Sequence, residues 1–211
     1  MTLTEQLELA DSLLTLESEK AKHPNELPGR YGRVVRDLER LFSSIHAKAA
    51  VAGGWAVWHH GYVGRVTQDV DIVIPADCQA ELLRIAPLCG FGVVEVRSGI
   101  WPKLIHFETK IDVDLMPEAG IPGTTSKPAP VAIRHPAQYG AVDDALVYIS
   151  LAGLFELKLG AHRAKDIADL IELIKVKPSD MPQVLRELNQ IHPAYATELQ
   201  DLIIQAQQEQ S

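Results

Sequence analysis

Apolar positions along the chain run at helical spacing, then at strand spacing, then at helical spacing again. From Thr2 to Lys22, Leu3, Leu7, Leu14 and their neighbours predict an amphipathic helix, which "HPNELPGRYG" breaks with Pro and Gly. A second helix is expected over roughly Arg33 to Lys48, with Val34, Leu38, Leu41, Phe42 and Ile45 on one side. "AAVAG" then reads as a short buried strand ending at Gly53, and "WAVWHHG" as a short helix closed by Gly61. "DVDIVIP" is a second strand, and "CQAELLRIAPLCG" a helix ending at Gly90. "GVVEVR", "KLIHFET" and "KIDVDLMP" predict three further strands.

From Glu118 to about Asp144 the chain is rich in Pro, Gly and Thr, which predicts a long loop with a short strand at "PVAIR". From Ser150, a suitable N-cap, the pattern is helical to the end, with breaks near Pro178 and Pro193. The expected fold class is α+β, a mixed sheet flanked by helices. Its expected parts are a helical lead-in over 1–48, a sheet-bearing core over 49–149 and a helical region packed on it over 150–211.

Composition narrows the partners. The 211 residues suit one large domain, or one domain with a small appendage. With 46% hydrophobic and 23% charged residues, the chain is ordinary for a globular protein. The formal net charge of −8 argues against a broad nucleic-acid footprint and leaves room for a local basic pocket. Cys78 and Cys89 have no metal-site spacing and form no disulfide framework, which suits a reducing compartment. The acidic "MTLTEQLELADSLL" is no signal peptide, and no apolar run reaches membrane-spanning length. A cytoplasmic protein without a membrane partner is expected.

The chemistry concentrates in two D-x-D pairs. Residues two apart on a strand share a face, so Asp69 and Asp71 present their carboxylates together, as do Asp112 and Asp114. Val70, Ile72, Ile74, Ile111, Val113 and Leu115 turn the other way, towards a core. One such pair at a strand end often only faces water. Two pairs in one small sheet, with a Gly-Gly turn upstream, point instead to a cation that resolves the repulsion. Mg²⁺ suits this role, because it prefers oxygen ligands and completes its shell with substrate phosphates. Three carboxylates from neighbouring strands suffice for two such ions and for in-line phosphoryl displacement. The strand–Gly53-Gly54–helix turn offers backbone N–H groups to phosphate oxygens. The chain has no P-loop and no dinucleotide fingerprint.

Gly53-Gly54, fourteen intervening residues, Asp69-Val70-Asp71 and a later strand aspartate resemble the nucleotidyltransferase superfamily of DNA polymerase β. The longer "GGWAVWHHGYVGRVTQDVDIVI" looks like its bacterial subgroup of small antibiotic-modifying enzymes and AbiEii-type toxins. "LFELKLGAHRAKDIADLIEL" is similar to a further segment of that subgroup, so the resemblance spans roughly Ala49 to Leu173. It implies a Mg²⁺-dependent transfer of a nucleoside monophosphate from an NTP to an acceptor hydroxyl, with release of pyrophosphate. Gly53 and Gly54 would contact phosphates, and Asp69 and Asp71 would hold Mg²⁺. Asp114, with Asp112 as its rival, would be the third carboxylate, a base or metal ligand. Arg65 and Thr67 would touch phosphates or order the loop, and Lys158 would reach the triphosphate. Where the family often has Ser after the first glycine, this chain has Gly54, which removes a hydroxyl contact and keeps the backbone ones. An antibiotic, a tRNA end, a protein side chain and a small metabolite all fit as acceptor. The rival implication is a regulatory relative, a toxin–antitoxin component that acts by binding a protein partner.

If Lys158 to Ile174 is one helix, Lys158, Lys165 and Asp169 share a face opposite the apolar stripe Ile167, Leu170, Ile171 and Ile174, with Arg163 and Lys165 in a solvated charged surface. His59 and His60 are adjacent and cannot share a ligand face, so packing or capping is expected of them. His106, His135 and His162 have no ligand spacing. Among Trp55, Trp58 and Trp101, the last sits in the loop "RSGIWPK" and is the expected pocket aromatic.

Overall fold

The computed structural model describes residues 23–27, 29–64, 66–94, 101–141 and 143–210. The expected helix over Thr2–Lys22, the latter half of "GVVEVR" and Arg65 lie outside these residues.

Six strands form one mixed sheet, and the fold is α+β as expected. β1 (Ala49–Val51) pairs antiparallel with β2 (Val70–Ile74) and parallel with β8 (Leu146–Tyr148). On its other side β2 pairs parallel with β5 (Asp112–Pro117). β4 (Lys103–His106) joins β5 to the edge strand β3 (Phe91–Val93), both pairings antiparallel. The spatial order is therefore β3-β4-β5-β2-β1-β8. A separate two-stranded hairpin, β6 (Gly123–Thr124) with β7 (Lys127–Pro128), interrupts the long loop. The strand expected at "PVAIR" does not form there. β8 has no counterpart among the expected strands: its three residues follow an irregular loop directly and precede the Ser150 helix cap.

Strand alternation sorts side chains onto two faces. Val51, Val70, Ile72, Ile74, Val113 and Leu115 face one core, closed by α1 (Gly29–Ser44) and by Trp55 and Trp58 of α2 (Gly53–His59). Helix α1 starts and ends four residues earlier than its spacing suggests, and Tyr31, Val34, Val35, Leu38, Leu41 and Phe42 line its buried side. Each such side chain stabilises the fold by roughly 1.5–3 kcal/mol through burial. α3 (Gln79–Ile85) runs into a short 3₁₀ turn and stops at Gly90, whose φ is 93°.

Ala50, Val73 and Met116 face the opposite way, into a second core made with the C-terminal helices. These are α4 (Leu151–Ala161), α5 (Ala164–Val176), α6 (Met181–Ile191) and α7 (Pro193–Glu209). The Ser150 hydroxyl caps α4 by accepting from Gly153 N at 3.2 Å. The single helix expected from Lys158 to Ile174 is instead two. His162 adopts a left-handed conformation (φ 51°) and Arg163 an extended one, so the chain turns a corner between α4 and α5. No helix among the described residues is long and apolar enough to cross a membrane.

Candidate functional site

The C-terminal helices cover only part of the second sheet face. Val73 is packed beneath them, whereas Asp71 and Asp114 on the same face open into a cleft of about 620 Å³, with Met116 at the margin of both. Register, not sequence spacing, brings these two acids together: Asp71 lies directly opposite Asp114 on the parallel β2–β5 pair. Asp114 is therefore the cleft acid of its D-x-D pair, and Asp112 is not in the lining.

Gly53 forms the floor above Asp71. Its φ is 58°, and a Cβ added there would fall 1.7 Å from Asp71 Oδ2. Only glycine suits both the backbone conformation and the approach. The neighbouring Ala52 N–H donates to the Asp71 carbonyl at 2.8 Å and locks β1 to β2 at this point. Gly54 is buried in the first turn of α2.

Burial, and then the charges of Asp69 and Asp114, push the Asp71 carboxyl up from 3.8 to about 6. The site is thus overloaded with negative charge. Its donors are all oxygens, which fits a hard divalent cation. Among the described residues no three His, Cys, Asp or Glu side chains close around one point as a ready-made metal cage. Phosphate and water oxygens would have to complete the shell, as Mg²⁺ ordinarily arranges.

One local counter-charge is Lys103, which no motif in the sequence singles out. It sits opposite Asp114 in the β4–β5 ladder, and its Nζ lies 3.1 Å from Asp114 Oδ1 and 3.2 Å from Asp112 Oδ2. Partial burial works against its charge, but the bonds to Asp114 and Asp112 outweigh that and raise its pKa.

The α4–α5 corner supplies the far wall. Lys158 lines the cleft yet is buried, bonding Asp169 Oδ2 at 2.6 Å and Asp166 Oδ1 at 3.2 Å. Arg163 Nε adds a bond to Asp166 Oδ2 at 2.6 Å. Burial alone would raise the Asp166 carboxyl, but Arg163 and Lys158 prevail and hold it below the usual carboxylate range. Arg163 also feels the field of Asp71 and Asp69 across the cleft. It lines the cleft while its side chain stays largely exposed to solvent, and Lys165 lines the rim beside it. Glu156, from the same sequence segment, serves the core instead. Arg134 clasps it through Nε and Nη2, and the Tyr139 hydroxyl donates to it at 2.9 Å.

Thr67 is buried outside the cleft lining, and its carbonyl accepts from the Tyr31 hydroxyl at 3.1 Å, which ties down the approach to β2. Asp69 lies just before β2, close enough to act on Asp71. His59 stacks on Tyr148 with ring centroids 4.1 Å apart. His60 Nε2 meets the Ile149 carbonyl at 2.8 Å, and burial lowers its pKa to about 4, so the neutral ring donates this bond. Both histidines serve packing. Trp101 lines the cleft, whereas Trp55 and Trp58 are core.

No protein-family model matches the chain, and no curated protein does. Among solved structures, it is similar to ANT(2'')-Ia in complex with adenylyl-2''-tobramycin, at 15% identity and a TM-score of 0.40, covering 84% of this chain and 97% of that one. A solution structure of the antibiotic-resistance factor ANT(2'')-Ia gives 15% identity and a TM-score of 0.43, with 83% and 90% covered. A candidate nucleotidyltransferase from Thermotoga maritima gives 16% and 0.45, with 70% and 94% covered. These are distant likenesses, and it is the residues of the cleft that speak for a function.

Proposed function

We propose that the protein is a nucleotidyltransferase that moves a nucleoside monophosphate from an NTP to an acceptor hydroxyl. The observation that carries this reading is the juxtaposition of Asp71 and Asp114 on adjacent parallel strands, beneath a glycine that leaves no room for a Cβ over the Asp71 carboxylate. In this reading Asp69 and Asp71, with Asp114 alongside, hold Mg²⁺. The ion, when bound, would neutralise charge on the phosphates during displacement. Gly53 and Gly54 present backbone N–H groups to phosphate oxygens. Lys158 and Arg65 support the triphosphate, Thr67 orders the approach to β2 from outside the cleft lining, and Arg163 and Lys165 add positive charge at the rim. Lys103 holds the Asp114 carboxylate in place, and Asp114 takes the proton of the acceptor hydroxyl. The acceptor oxygen then bonds to the α-phosphorus as the bond to the β-phosphate oxygen breaks, and pyrophosphate leaves.

Calorimetry with each NTP, with and without Mg²⁺, tests the donor half. Metal-dependent binding that Asp69→Ala abolishes is expected, and no metal-dependent binding to any NTP overturns the reading. Transfer of label from an α-labelled NTP in a cell extract, followed by sizing, identifies the acceptor among antibiotic, tRNA, protein and metabolite.

One observation favours a second reading, a toxin–antitoxin component that works by protein binding. Lys158 already spends its charge on two buried aspartates. A chain that binds no NTP but captures a partner through its helical region would follow from that.

A further inference from the structure

The cleft divides chemically. Beside the charged groups, the lining includes the apolar side chains of Trp101, Met116, Ile121, Pro122, Leu154 and Leu157, and Trp101 and Ile121 form its apolar wall. The wall is held by the backbone beneath it. The turn after β5 is pinned by Ala119 N to the Ile133 carbonyl and by Ile133 N to the Gly120 carbonyl, both at 2.8 Å. Gly120 lies so close under the indole that an added Cβ would sit 3.1 Å from both Trp101 Nε1 and Cζ2. Ile121, the next residue, leaves 58% of its surface uncovered at the mouth. An exposed apolar residue beside a seated aromatic ring is a surface prepared for a ligand ring.

The charges lining the cleft point the same way. Although the whole chain carries −8, the described lining has four cations, Lys103, Lys158, Arg163 and Lys165, against three carboxylates, Asp71, Asp114 and Asp166. Asp166 is bonded by Lys158 and Arg163, and Asp114 is bonded by Lys103 and assigned to the metal and the acceptor's proton. Asp71 is likewise assigned to the metal. No lining carboxylate among the described residues is left to receive an ammonium group, while Lys165 makes no ion pair among them.

We infer that the acceptor bears an uncharged or anionic ring system beside its hydroxyl, seated on the Trp101–Ile121 wall, and is not a polyamine. This inference rests on the nucleotidyltransferase reading for the word acceptor, and on the wall and the charges alone for the ligand's chemistry. The ring belongs either to a free small molecule or to the end of a larger chain, sources that the sizing of labelled product separates.

The test uses the full chain with Mg²⁺ and a non-hydrolysable NTP analogue, and two probes, 1-anilinonaphthalene-8-sulfonate as an anionic aryl compound and tobramycin as a polycation. Saturable 1:1 binding of the aryl sulfonate is expected, weakened at least tenfold by Trp101→Ala. Ile121→Asp, at an exposed position that folding does not need, should weaken it at least fivefold. Tobramycin at millimolar concentration should neither bind nor displace it. Tight, salt-sensitive tobramycin binding, or aryl binding indifferent to both substitutions, or no saturable aryl binding, overturns the inference. Loss of Mg–NTP binding in the wild-type chain, with aryl binding intact, sinks the enzyme reading and leaves the ligand chemistry standing.

Discussion

Two charged clusters face each other across one cleft, and they treat charge oppositely. At the α4–α5 corner, Lys158, Arg163, Asp166 and Asp169 are closed into a bonded set. At the strand end, Asp69, Asp71 and Asp114 are pressed together with Lys103 to one side. The corner uses ionic groups to fix a bend in the chain. The strand end carries an unresolved repulsion, which a cation bound there would relieve. The corner thus carries the larger share of stability and the strand end the larger share of metal and phosphate chemistry in the proposed reaction, and substitutions should separate the two.

The largest effect is expected at the corner. Lys158→Met leaves Asp166 and Asp169 buried beside a lost cation and should cost about 3–5 kcal/mol in urea unfolding. A loss under about 1 kcal/mol would show that the corner set is not structural. Gly53→Ala follows, at roughly 2–4 kcal/mol, because a left-handed backbone and a collision with the Asp71 carboxylate coincide. It should also abolish Mg²⁺-dependent NTP binding in calorimetry.

Asp71→Asn should do the reverse of Lys158→Met. A carboxyl with a folded pKa of about 6 against an ordinary 3.8 holds its proton more tightly in the fold. Its cost is therefore absent below pH 3.8, grows through the window and is complete above about pH 6. The Asn variant should be more stable than the wild type by roughly 1–3 kcal/mol at about pH 8 without metal, and no more stable at about pH 4. His60 acts in the opposite sense, losing stability as pH falls from 6.5 towards 4, but it is common to both proteins and cancels in the comparison. Thermal melts at the two pH values with and without Mg²⁺ check this, and Mg²⁺ should raise the melting temperature of the wild type alone. The smallest stability change belongs to Lys103→Met, under about 1 kcal/mol for a part-exposed pair. Its effect should fall on transfer, at least tenfold in kcat, with NTP affinity changed less than threefold.

The glycine turn and both D-x-D strands are legible in the sequence because alternation and Gly-Gly are local signals. "DVDIVI" and "KIDVDLM" each show, without a partner strand, which residues turn inward. The pairing of Asp71 with Asp114, and Lys103 opposite Asp114, depends on register between strands distant in sequence, which no local pattern carries. β8 escapes because three residues of an edge strand are too short to show alternation. Arg163 stays a surface residue, but the corner that sets it in the cleft comes from a helix break at His162, a non-glycine residue in a glycine-like conformation. Gly160 offers a visible reason for a break, but it lies inside α4.

The parallel pairing of β2 with β5 also bears on the order of folding. Between these strands lie α3, β3 and β4, so the two acids meet only after a long segment of chain has closed. The antiparallel neighbours β4 and β5 are joined by a tight turn and can associate early. Val70, Ile72, Val113 and Leu115 bury their side chains through the same pairing that sets Asp71 against Asp114, so the step that builds this core also incurs the repulsion, and a divalent ion bound there would ease it.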